Sequence, residues 1–346
     1  MPAMPEILKA EVVIVGAGVL GLCTAVELTL RGHEVRVVDA GGTNASSVAA
    51  GMIAPALEAV LDRVTPERAT LFRDARAAWN GFAASAGIRI HSAPTFWAGG
   101  DTPAMIQALD DLGFVSPEIG ADSRVSLPSD VLIEPGPALQ AMAAILAVPV
   151  LQARVAAIAR MDTGWRIETG AGAVEARTLV LATGTAGIIA GMPDTVARLI
   201  GQVEPIRGQI GFAAQEAINA VIRATGIYVA PSGRGMVVGA TMEPGRRDLE
   251  SDAAVGDRLV AAAERMLARS LAGPVDWRVG IRGASPDGLP MAGDSGEAGL
   301  FLALAPRRNG WLLGPLVAGV VADVIEGGSA RSPHSAALDP RRFAIR

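Results

Sequence analysis

The chain has 346 residues, half of them hydrophobic, and a formal net charge of −5. This length is enough for two domains of ordinary size and a large buried core. The negative net charge and the absence of a Lys/Arg block argue against a nucleic-acid partner, because binding a phosphate backbone needs a concentrated basic face.

Other classes of protein are disfavoured by what the sequence lacks. We expect no membrane span, because no window of about 18 uncharged apolar residues is present. We also expect a cytoplasmic location, because no secretory leader is recognisable. Cys23, the only cysteine, is predicted to be a packing residue, and we predict no metal site. Lys9 is the only lysine, which leaves almost no candidate for a Schiff base or a P-loop.

The first predicted element is a buried strand followed by a glycine-rich turn. Val12–Val15 is a continuous apolar run, typical of a parallel strand covered on both faces. The GxGxxG spacing that follows permits a tight turn, a close approach of backbone to a pyrophosphate, and close packing of helix on strand. The predicted cofactor contacts in this turn are Gly16, Gly18, Val19, Leu20 and Gly21.

A helix and a second strand complete this unit. The helix is predicted over Leu22–Arg31 with Gly32 after its C-terminus, and the strand over Glu34–Val38. Asp39 ends the strand, where a carboxylate can bind a ribose diol, and Ala40 follows it. The unit therefore predicts an adenine dinucleotide, although these residues alone do not separate FAD from NAD.

The next segments have the character of a second domain. Gly41–Pro55 is predicted to be too small and polar for a core, and its backbone could pass close to a flat ring. Thr65 is predicted to cap a helix with Pro66 in its first turn, with an apolar face formed by Leu71, Ala75, Ala78 and Phe82. Strands are predicted at Ile88–Trp97, Gly201–Ala213, Ala220–Val229 and Gly235–Thr241, which indicates a mainly antiparallel sheet.

One charged segment near this sheet allows more than one interpretation. Pro244–Asp252 is charged and rich in turn residues, so it is either a lid or a solvated loop. Val155 begins a strand-like segment, in which it can be an ordinary strand valine. A helix over about Asp252 to Leu271 is predicted to lead back to the first domain. Leu179–Gly184 is predicted to be a further buried strand that ends in a small turn.

The C-terminal part, from Gly280 to Gly314, contains two motifs in succession. GIRGASPDGLPMAG is followed by a strand and then by PRRNG, which opens a helix near Asn309 and Gly310. The unpaired N–H groups at such a helix start can stabilise negative charge on the edge of a bound ring. Pro315 fits only an early turn of that helix.

Together these segments resemble the FAD-dependent D-amino-acid oxidase superfamily, closest to its glycine-oxidase and sarcosine-oxidase branch. The resemblance implies FAD, and the absence of a cysteine in the C-terminal half implies that it is not covalently attached. Arg207, Gly208 and Gln209 match the family's crossing between domains. Beyond the first unit, the implied FAD contacts are Ser46, Ser47, Ala50, Gly51, Met52, Val155, Thr183, Gly184, Arg282, Arg308, Asn309, Gly310, Trp311 and Leu312.

The resemblance also implies the fold class and domains. We expect an α/β protein with a discontinuous Rossmann-type FAD-binding domain and a second α+β domain, built on a mainly antiparallel β-sheet, that binds substrate. The predicted boundaries are 1–78, 131–198 and 272–346 for the FAD domain, and 79–130 and 199–271 for the substrate domain.

The implied substrate residues are Arg282, Tyr228 and Arg308. Arg282 would hold a carboxylate bidentately, and Tyr228, the only tyrosine, would face the same carboxylate. The alternatives are a surface ion pair for Arg282, a strand tyrosine for Tyr228 and an ion pair at the helix start for Arg308. The chain departs from the family pattern at Gly283, which is expected to loosen a turn.

A second departure from the family pattern lies at Pro306 and Arg307. These residues replace a histidine and an aromatic residue, so Arg307 either recruits a second carboxylate or faces solvent. This difference weakens the transfer of substrate identity from the family.

The implied reaction is oxidation of a small amino acid or secondary amine. His33, His91 and His334 lie outside the matched segments, so hydride transfer from Cα to flavin N5 is expected rather than general-base catalysis. The imine would hydrolyse to a 2-oxo acid, and O2 would be reduced to H2O2. The alternative is a flavoprotein subunit that passes electrons to a partner protein. The sequence leaves open whether the chain forms a homo-oligomer.

Overall fold

The structure is a computed structural model that describes residues 7–114, 125–327 and 332–344. Its strands are β1 (Leu8–Val15), β2 (Val35–Asp39), β3 (Met52–Ile53), β4 (Ile90–His91), β5 (Thr95–Trp97), β6 (Val125–Ser126), β7 (Val131–Ile133), β8 (Leu151–Gln152), β9 (Val155–Met161), β10 (Gly164–Thr169), β11 (Gly172–Leu181), β12 (Glu204–Ala213), β13 (Val221–Ala224), β14 (Ile227–Ser232), β15 (Gly235–Gly239), β16 (Glu243–Pro244), β17 (Asp276–Ala284), β18 (Met291–Asp294) and β19 (Leu300–Leu304). Its helices are α1 (Val19–Leu30), α2 (Ala45–Val48), α3 (Pro55–Leu61), α4 (Pro66–Ser85), α5 (Thr102–Asp111), α6 (Pro135–Ile145), α7 (Asp194–Gly201), α8 (Ala253–Leu267), α9 (Gly310–Ile325) and α10 (Ser335–Leu338), before a final 3-10 turn, Pro340–Phe343.

The chain divides into two compact units. The first contains the described residues of Met1–Asn44, Leu139–Pro205 and Arg282–Arg346, and the second contains those of Ala45–Ala138 and Ile206–Ile281. The predicted domain boundaries differ from this division chiefly at 45–78, which fall in the second unit. The roles assigned to the two domains remain a prediction.

The first unit is built on a mostly parallel sheet. Strands β19, β11, β1, β2 and β8 lie side by side in parallel, and β18 adds an antiparallel edge. β9 and β10 form an antiparallel extension against β11. Val12, Val13 and Ile14 are fully buried, as expected for a strand covered on both faces. The predicted Rossmann-type α/β fold is confirmed.

Helices α1 and α9 pack closely in this unit because one face of α9 carries glycine. A methyl group added to Gly314 would lie 2.8 Å from Cys23 Sγ of α1. Cys23 is fully buried 3.7 Å from Met142 Sδ, so its predicted packing role agrees with its surroundings. Pro315 lies in the second turn of α9, in agreement with the predicted early turn.

The second unit is built on a mainly antiparallel sheet. Its order is β16, β12, β15, β14, β13, β5 and β6, with β17 also paired to β12, and β5 and β13 form a parallel pair. One face packs against α8 through Val255, Leu259 and Ala263. The small sheet of β3, β7 and β4 belongs to the same unit.

Three predictions about the second unit need correction. The strand predicted over Ala220–Val229 is a hairpin, because Gly226 adopts φ +76° between β13 and β14. Ile88–Trp97 forms two short strands, β4 and β5, rather than one. Gly41–Pro55 is not excluded from the core, since Val48 and Ile53 are buried there.

Helix α4 agrees with its predicted start. Thr65 accepts a hydrogen bond from the Arg68 N–H, as an N-cap residue does, and Pro66 occupies the first turn. Among the residues that the structure describes, no helix is both long and apolar enough to cross a bilayer.

Candidate functional site

The turn between β1 and α1 accepts only glycine at two positions. Gly16 has φ +114°, and a methyl group there would overlap the Ala182 carbonyl; a methyl group on Gly21 would overlap the Gly16 carbonyl. Gly18 is the N-cap residue of α1 and brings no side chain of its own to the first turn. Such a helix start can bind a diphosphate. Val19 and Leu20 are buried in that turn.

Asp39 ties the end of β2 to this turn. Its two carboxylate oxygens accept hydrogen bonds from the Ala17 and Gly41 N–H groups, each at 2.7 Å. Each oxygen keeps a lone pair for a further donor such as a ribose hydroxyl. The next residue, Ala40, is exposed. The carboxylate therefore fits the predicted role and also orders the backbone around it.

The end of β11 meets the end of β1 at the same edge of the sheet. The Ala182 N–H donates to the Val15 carbonyl at 2.8 Å, which brings Thr183 and Gly184 beside the turn. Ligands of doubly wound sheets bind at this carboxyl edge. Val155, at the start of β9, packs against the apolar cluster that contains Val15. That contact agrees with either interpretation of Val155.

The start of α9 lies against the start of α1. A methyl group on Gly310 would be 3.1 Å from Val19 Cγ1, and Asn309 is buried as the N-cap residue with no hydrogen bond from its side chain to the helix. Trp311 and Leu312 are buried in the following turn. Two helix N-termini, each with a positive dipole end, therefore adjoin in one place.

The arginines of the C-terminal motifs come together beside this point. The Arg307 N–H donates to the Gly283 carbonyl at 2.7 Å, and Ala284 forms an antiparallel bridge with Pro306. Arg282 and Arg308 flank these contacts in sequence, and both side chains are half-buried, as is that of Arg307. The backbones of residues 282–284 and 306–308 thus lie side by side within the first unit, and Arg282, Arg307 and Arg308 of these segments are called the arginine group below.

The two departures from the family pattern have structural explanations. Gly283 lies inside β17 rather than in a turn, and a methyl group there would be 2.8 Å from Val203 Cγ1, so the expectation of a loosened turn was wrong. Arg307 has φ +52° and is half-buried, which does not fit the interpretation that it simply faces solvent.

The remaining predicted residues lie in the second unit. Ser46 and Ser47 are in α2, and Gly51 has φ +75° where a methyl group would overlap the Ile133 carbonyl. Ala50, Met52 and Tyr228 contribute to one apolar cluster, formed around Ile210, Ala230 and Val237 on one face of the large sheet. The structure thus brings the predicted Ala-Gly-Met segment and the only tyrosine to the same face.

Arg207 and Gln209 have partners that the sequence did not reveal. Arg207 is fully buried, with Nη1 2.7 Å from Glu243 Oε1 and Nε 3.0 Å from Asp248 Oδ1. Gln209 exchanges two side-chain hydrogen bonds with the backbone of Asp252, at 2.9 and 2.7 Å. The segment Pro244–Asp252 is therefore anchored to β12, which favours an attached loop over a freely opening lid.

A buried charge cluster was also missed. Arg223 pairs with Glu58 at 2.8 Å, and Asp130 is buried nearby, where it accepts a hydrogen bond from the Ala56 N–H at 3.2 Å. Removal from water raises the pKa of Asp130 to about 7, and the Glu58 carboxylate adds to the rise. No sequence signal joins these residues, because they come from α3, β13 and the loop before β7.

One cavity of about 660 Å³ lies in the second unit, between α8 and the β13–β14 hairpin. Its lining includes Ile227, Leu259 and Met266 but none of the predicted site residues. Within the described ranges, no group of three or more His, Cys, Asp or Glu side chains could hold a metal ion.

Comparison with known proteins supports the same family as the motifs. The family described as "DAO: FAD dependent oxidoreductase" matches residues 11–324. A glycine oxidase of Geobacillus kaustophilus is 27% identical and is covered over 93% of its length by 92% of this chain. The crystal structure of glycine oxidase from that species has a TM-score of 0.81 at 24% identity, with 97% of this chain and 99% of that chain covered.

Relatives named as bifunctional proteins match over only part of their length. The bifunctional protein MnmC of Caulobacter sp. (strain K31), named for tRNA 5-methylaminomethyl-2-thiouridine biosynthesis, is 28% identical over 96% of this chain and 57% of its own. The bifunctional protein ThiO/ThiG of Trichormus variabilis is 28% identical over 91% of this chain and 52% of its own. This chain therefore spans little more than half of these bifunctional proteins.

Proposed function

The chain belongs to the family of FAD-dependent oxidoreductases, and on that premise we propose that it oxidises the amine of a small amino acid or secondary amine. The proposed products are an imine, which water hydrolyses to a 2-oxo acid and ammonia or a primary amine, and H2O2 formed from O2. The glycine oxidase that matches nearly the full length of both chains supports this reaction class.

The arginine group beside the start of α9 carries the proposal. Arg282 is joined to the residues before Arg308 through the hydrogen bond between Arg307 and Gly283, next to the point where α9 meets α1. A guanidinium binds a carboxylate through two parallel hydrogen bonds, which would fix both the position and the orientation of an amino acid. A carboxylate-bearing substrate at the end of the dinucleotide site is the chemistry that these residues fit.

The residues of the first unit also fit FAD. The glycine turn at Gly16 and Gly21 leaves space that a side chain would fill, and Asp39 has lone pairs available for a diol. The N-terminus of α9 would stabilise negative charge on a flavin edge. FAD, when bound, would accept the hydride, and with it the two electrons, that leaves Cα. Arg282 would hold the substrate carboxylate while the substrate amine remains uncharged. For Tyr228 the proposed role is a hydrogen bond from its hydroxyl to a substrate carboxylate.

A second candidate substrate is an amine carried on RNA. The match to MnmC extends over 96% of this chain, which is as extensive as the match to glycine oxidase. The net charge of −5 argues against it, because an RNA substrate needs a concentrated positive surface. The small free amino acid is therefore the preferred substrate class.

Anaerobic spectroscopy of the purified holoprotein tests the proposal. We expect flavin absorption bands that bleach when one of glycine, sarcosine, D-alanine, D-proline or D-aspartate is added, and H2O2 when air is admitted. Bleaching without H2O2 would support the alternative of electron transfer to a partner protein. A protein that binds FAD but is not reduced by any of these amines would contradict the proposed substrate class.

A further inference from the structure

Tyr228 lies across the backbone of a glycine on the neighbouring strand. Tyr228 of β14 is directly opposite Gly239 of β15 in the antiparallel register. A methyl group on Gly239 would be 2.5 Å from Tyr228 Cζ and closer still to its hydroxyl oxygen. Side chains at opposed positions project from the same face, so the missing side chain of Gly239 provides the space that the phenol occupies.

Gly239 cannot easily move away from the phenol. On its other side it is paired with Ile210 of β12, which is 2% exposed. Two residues further on, Thr241 is held to Gln209 by two hydrogen bonds, 3.2 Å from its N–H to the Gln209 carbonyl and 2.9 Å from the Gln209 N–H to Thr241 Oγ1. A side chain at position 239 would therefore displace Tyr228 rather than the backbone.

The face on which Tyr228 lies is the one that bears the predicted Ala-Gly-Met segment. Ala50 and Met52 belong to the same apolar cluster as Tyr228 and Ile210, whereas α8 covers the opposite face through a separate cluster. The direction of the phenol on this face depends on the absence of a side chain at Gly239, which lies directly opposite Tyr228. A displacement of the ring would move the hydroxyl along the face.

We infer that Gly239 is a positioning residue that sets the place of the Tyr228 hydroxyl and thereby the fit of the substrate carboxylate. The inference rests on the proposed function, in which this hydroxyl binds the carboxylate of a small amino acid. It assigns a role in substrate selection to a residue that has no functional group of its own.

The test uses Tyr228 as a single reporter, since it is the only tyrosine of the chain. We would label the holoprotein with 3-fluorotyrosine and compare the ¹⁹F spectra of the unsubstituted protein, Gly239→Ala and the control Gly233→Ala. Gly233 lies in the same β14–β15 hairpin, where an added methyl group meets nothing nearer than Glu134 Cδ at 3.7 Å. We expect Gly239→Ala to shift the resonance and Gly233→Ala to leave it in place.

Kinetics then connect the displacement to the substrate. Gly239→Ala is expected to raise the KM for the best amine by about tenfold or more, as expected when a hydrogen bond to a charged group is lost, with a smaller change in kcat. In a Tyr228→Phe background the same substitution should have much less effect, because the hydroxyl on which it acts is already gone. Equal effects in both backgrounds, or an unshifted resonance with unchanged KM, would overturn the inference.

Two further outcomes distinguish failure of the inference from loss of folding and from failure of the proposed function. If Gly239→Ala does not fold, Tyr228→Leu/Gly239→Ala should recover the fold, and failure of both would contradict the contact. A resonance that shifts in Gly239→Ala, in a holoprotein that no amine reduces, would support the contact and reject the proposed function.

Discussion

Arg282 offers the sharpest test of a single side chain. Lysine keeps the positive charge but cannot form the two parallel hydrogen bonds of a guanidinium. We expect Arg282→Lys to lower kcat/KM for the amine by about 10- to 100-fold, the loss expected for one hydrogen bond to a charged group. FAD content is measured by absorbance in each variant, so that kcat is compared per bound flavin.

The same strand provides the control. Arg278 lies on β17 and pairs with Asp276 at 2.8 Å, outside the predicted site. Arg278→Lys should leave kcat/KM within about twofold, because exposed ion pairs contribute little. An equal loss of kcat/KM in both variants would show that the loss comes from disturbing β17 and not from a lost contact with the substrate.

Asp130 predicts a dependence of stability on pH. Burial raises its pKa to about 7 from the ordinary 3.8, against the opposing effects of the Ala56 N–H and Arg223. Glu58, Arg223 and Arg76 are the charged groups around it. Between these two pKa values the folded chain keeps a proton that the unfolded chain releases. The contribution of Asp130 to stability is therefore present at low pH and is lost as pH rises toward 7.

Asp130→Asn should remove this dependence because asparagine does not ionise. We expect the unfolding free energy of the unsubstituted protein, relative to the variant, to fall by up to about 1.4 kcal/mol per pH unit from pH 5 to 7, and to level off above that range. Urea denaturation at each pH measures it. A difference that rises with pH would show that Asp130 is ionised in the fold.

The contact between α1 and α9 depends on which face of α9 carries glycine. Gly314 faces Cys23, whereas a methyl group on Gly319 would meet no atom within 4 Å. We expect Gly314→Ala to destabilise the fold by about 1–3 kcal/mol through overpacking. Gly319→Ala should stabilise it by up to about 1 kcal/mol through helix propensity.

Chemical denaturation of the two variants measures this difference. Both substitutions place the same residue in the same helix, so helix propensity cancels in the comparison and only the packing differs. Equal free energies of unfolding for the two variants would contradict the close approach of α1 and α9.

Binding of the cofactor should stabilise the folded chain by mass action. FAD at about 100 times its Kd should add about 2.7 kcal/mol to the unfolding free energy of the apoprotein, because a ligand that binds only the folded state stabilises it. The Tm should therefore rise with FAD concentration. NAD at the same concentration should give little or no rise, and an equal rise with NAD would argue against selectivity for the flavin.

Much of the fold was predictable where the sequence motif lies within one short stretch of the chain. The β1–α1–β2 unit lies within about 30 residues, and its glycine spacing fixes both the turn and the helix packing, so the sequence predicts all three elements in order. In the structure the first strand begins at Leu8 rather than Val12, and the helix begins at Val19 rather than Leu22. The resemblance to the FAD-dependent D-amino-acid oxidase superfamily predicted the family of the chain, and the match over residues 11–324 confirms it.

Features that depend on distant pairing were not predictable. The ion pair between Glu58 and Arg223 joins α3 to β13. The buried Arg207 likewise anchors the segment Pro244–Asp252 to β12. Gly226 ends a strand that hydropathy alone reads as continuous, because a single positive φ outweighs the β propensity around it. The contacts of Arg307 likewise depend on the pairing of residues far apart in sequence.

The burial of Cys23 bears on how long the protein would survive its own reaction. Peroxide attacks the thiolate form of exposed cysteine most readily. Cys23 is the only thiol of the chain, it is fully buried, and burial raises its pKa well above the ordinary value. An oxidase of this sequence would therefore release H2O2 with no accessible thiolate of its own to oxidise, and its working lifetime would not be limited by damage to cysteine.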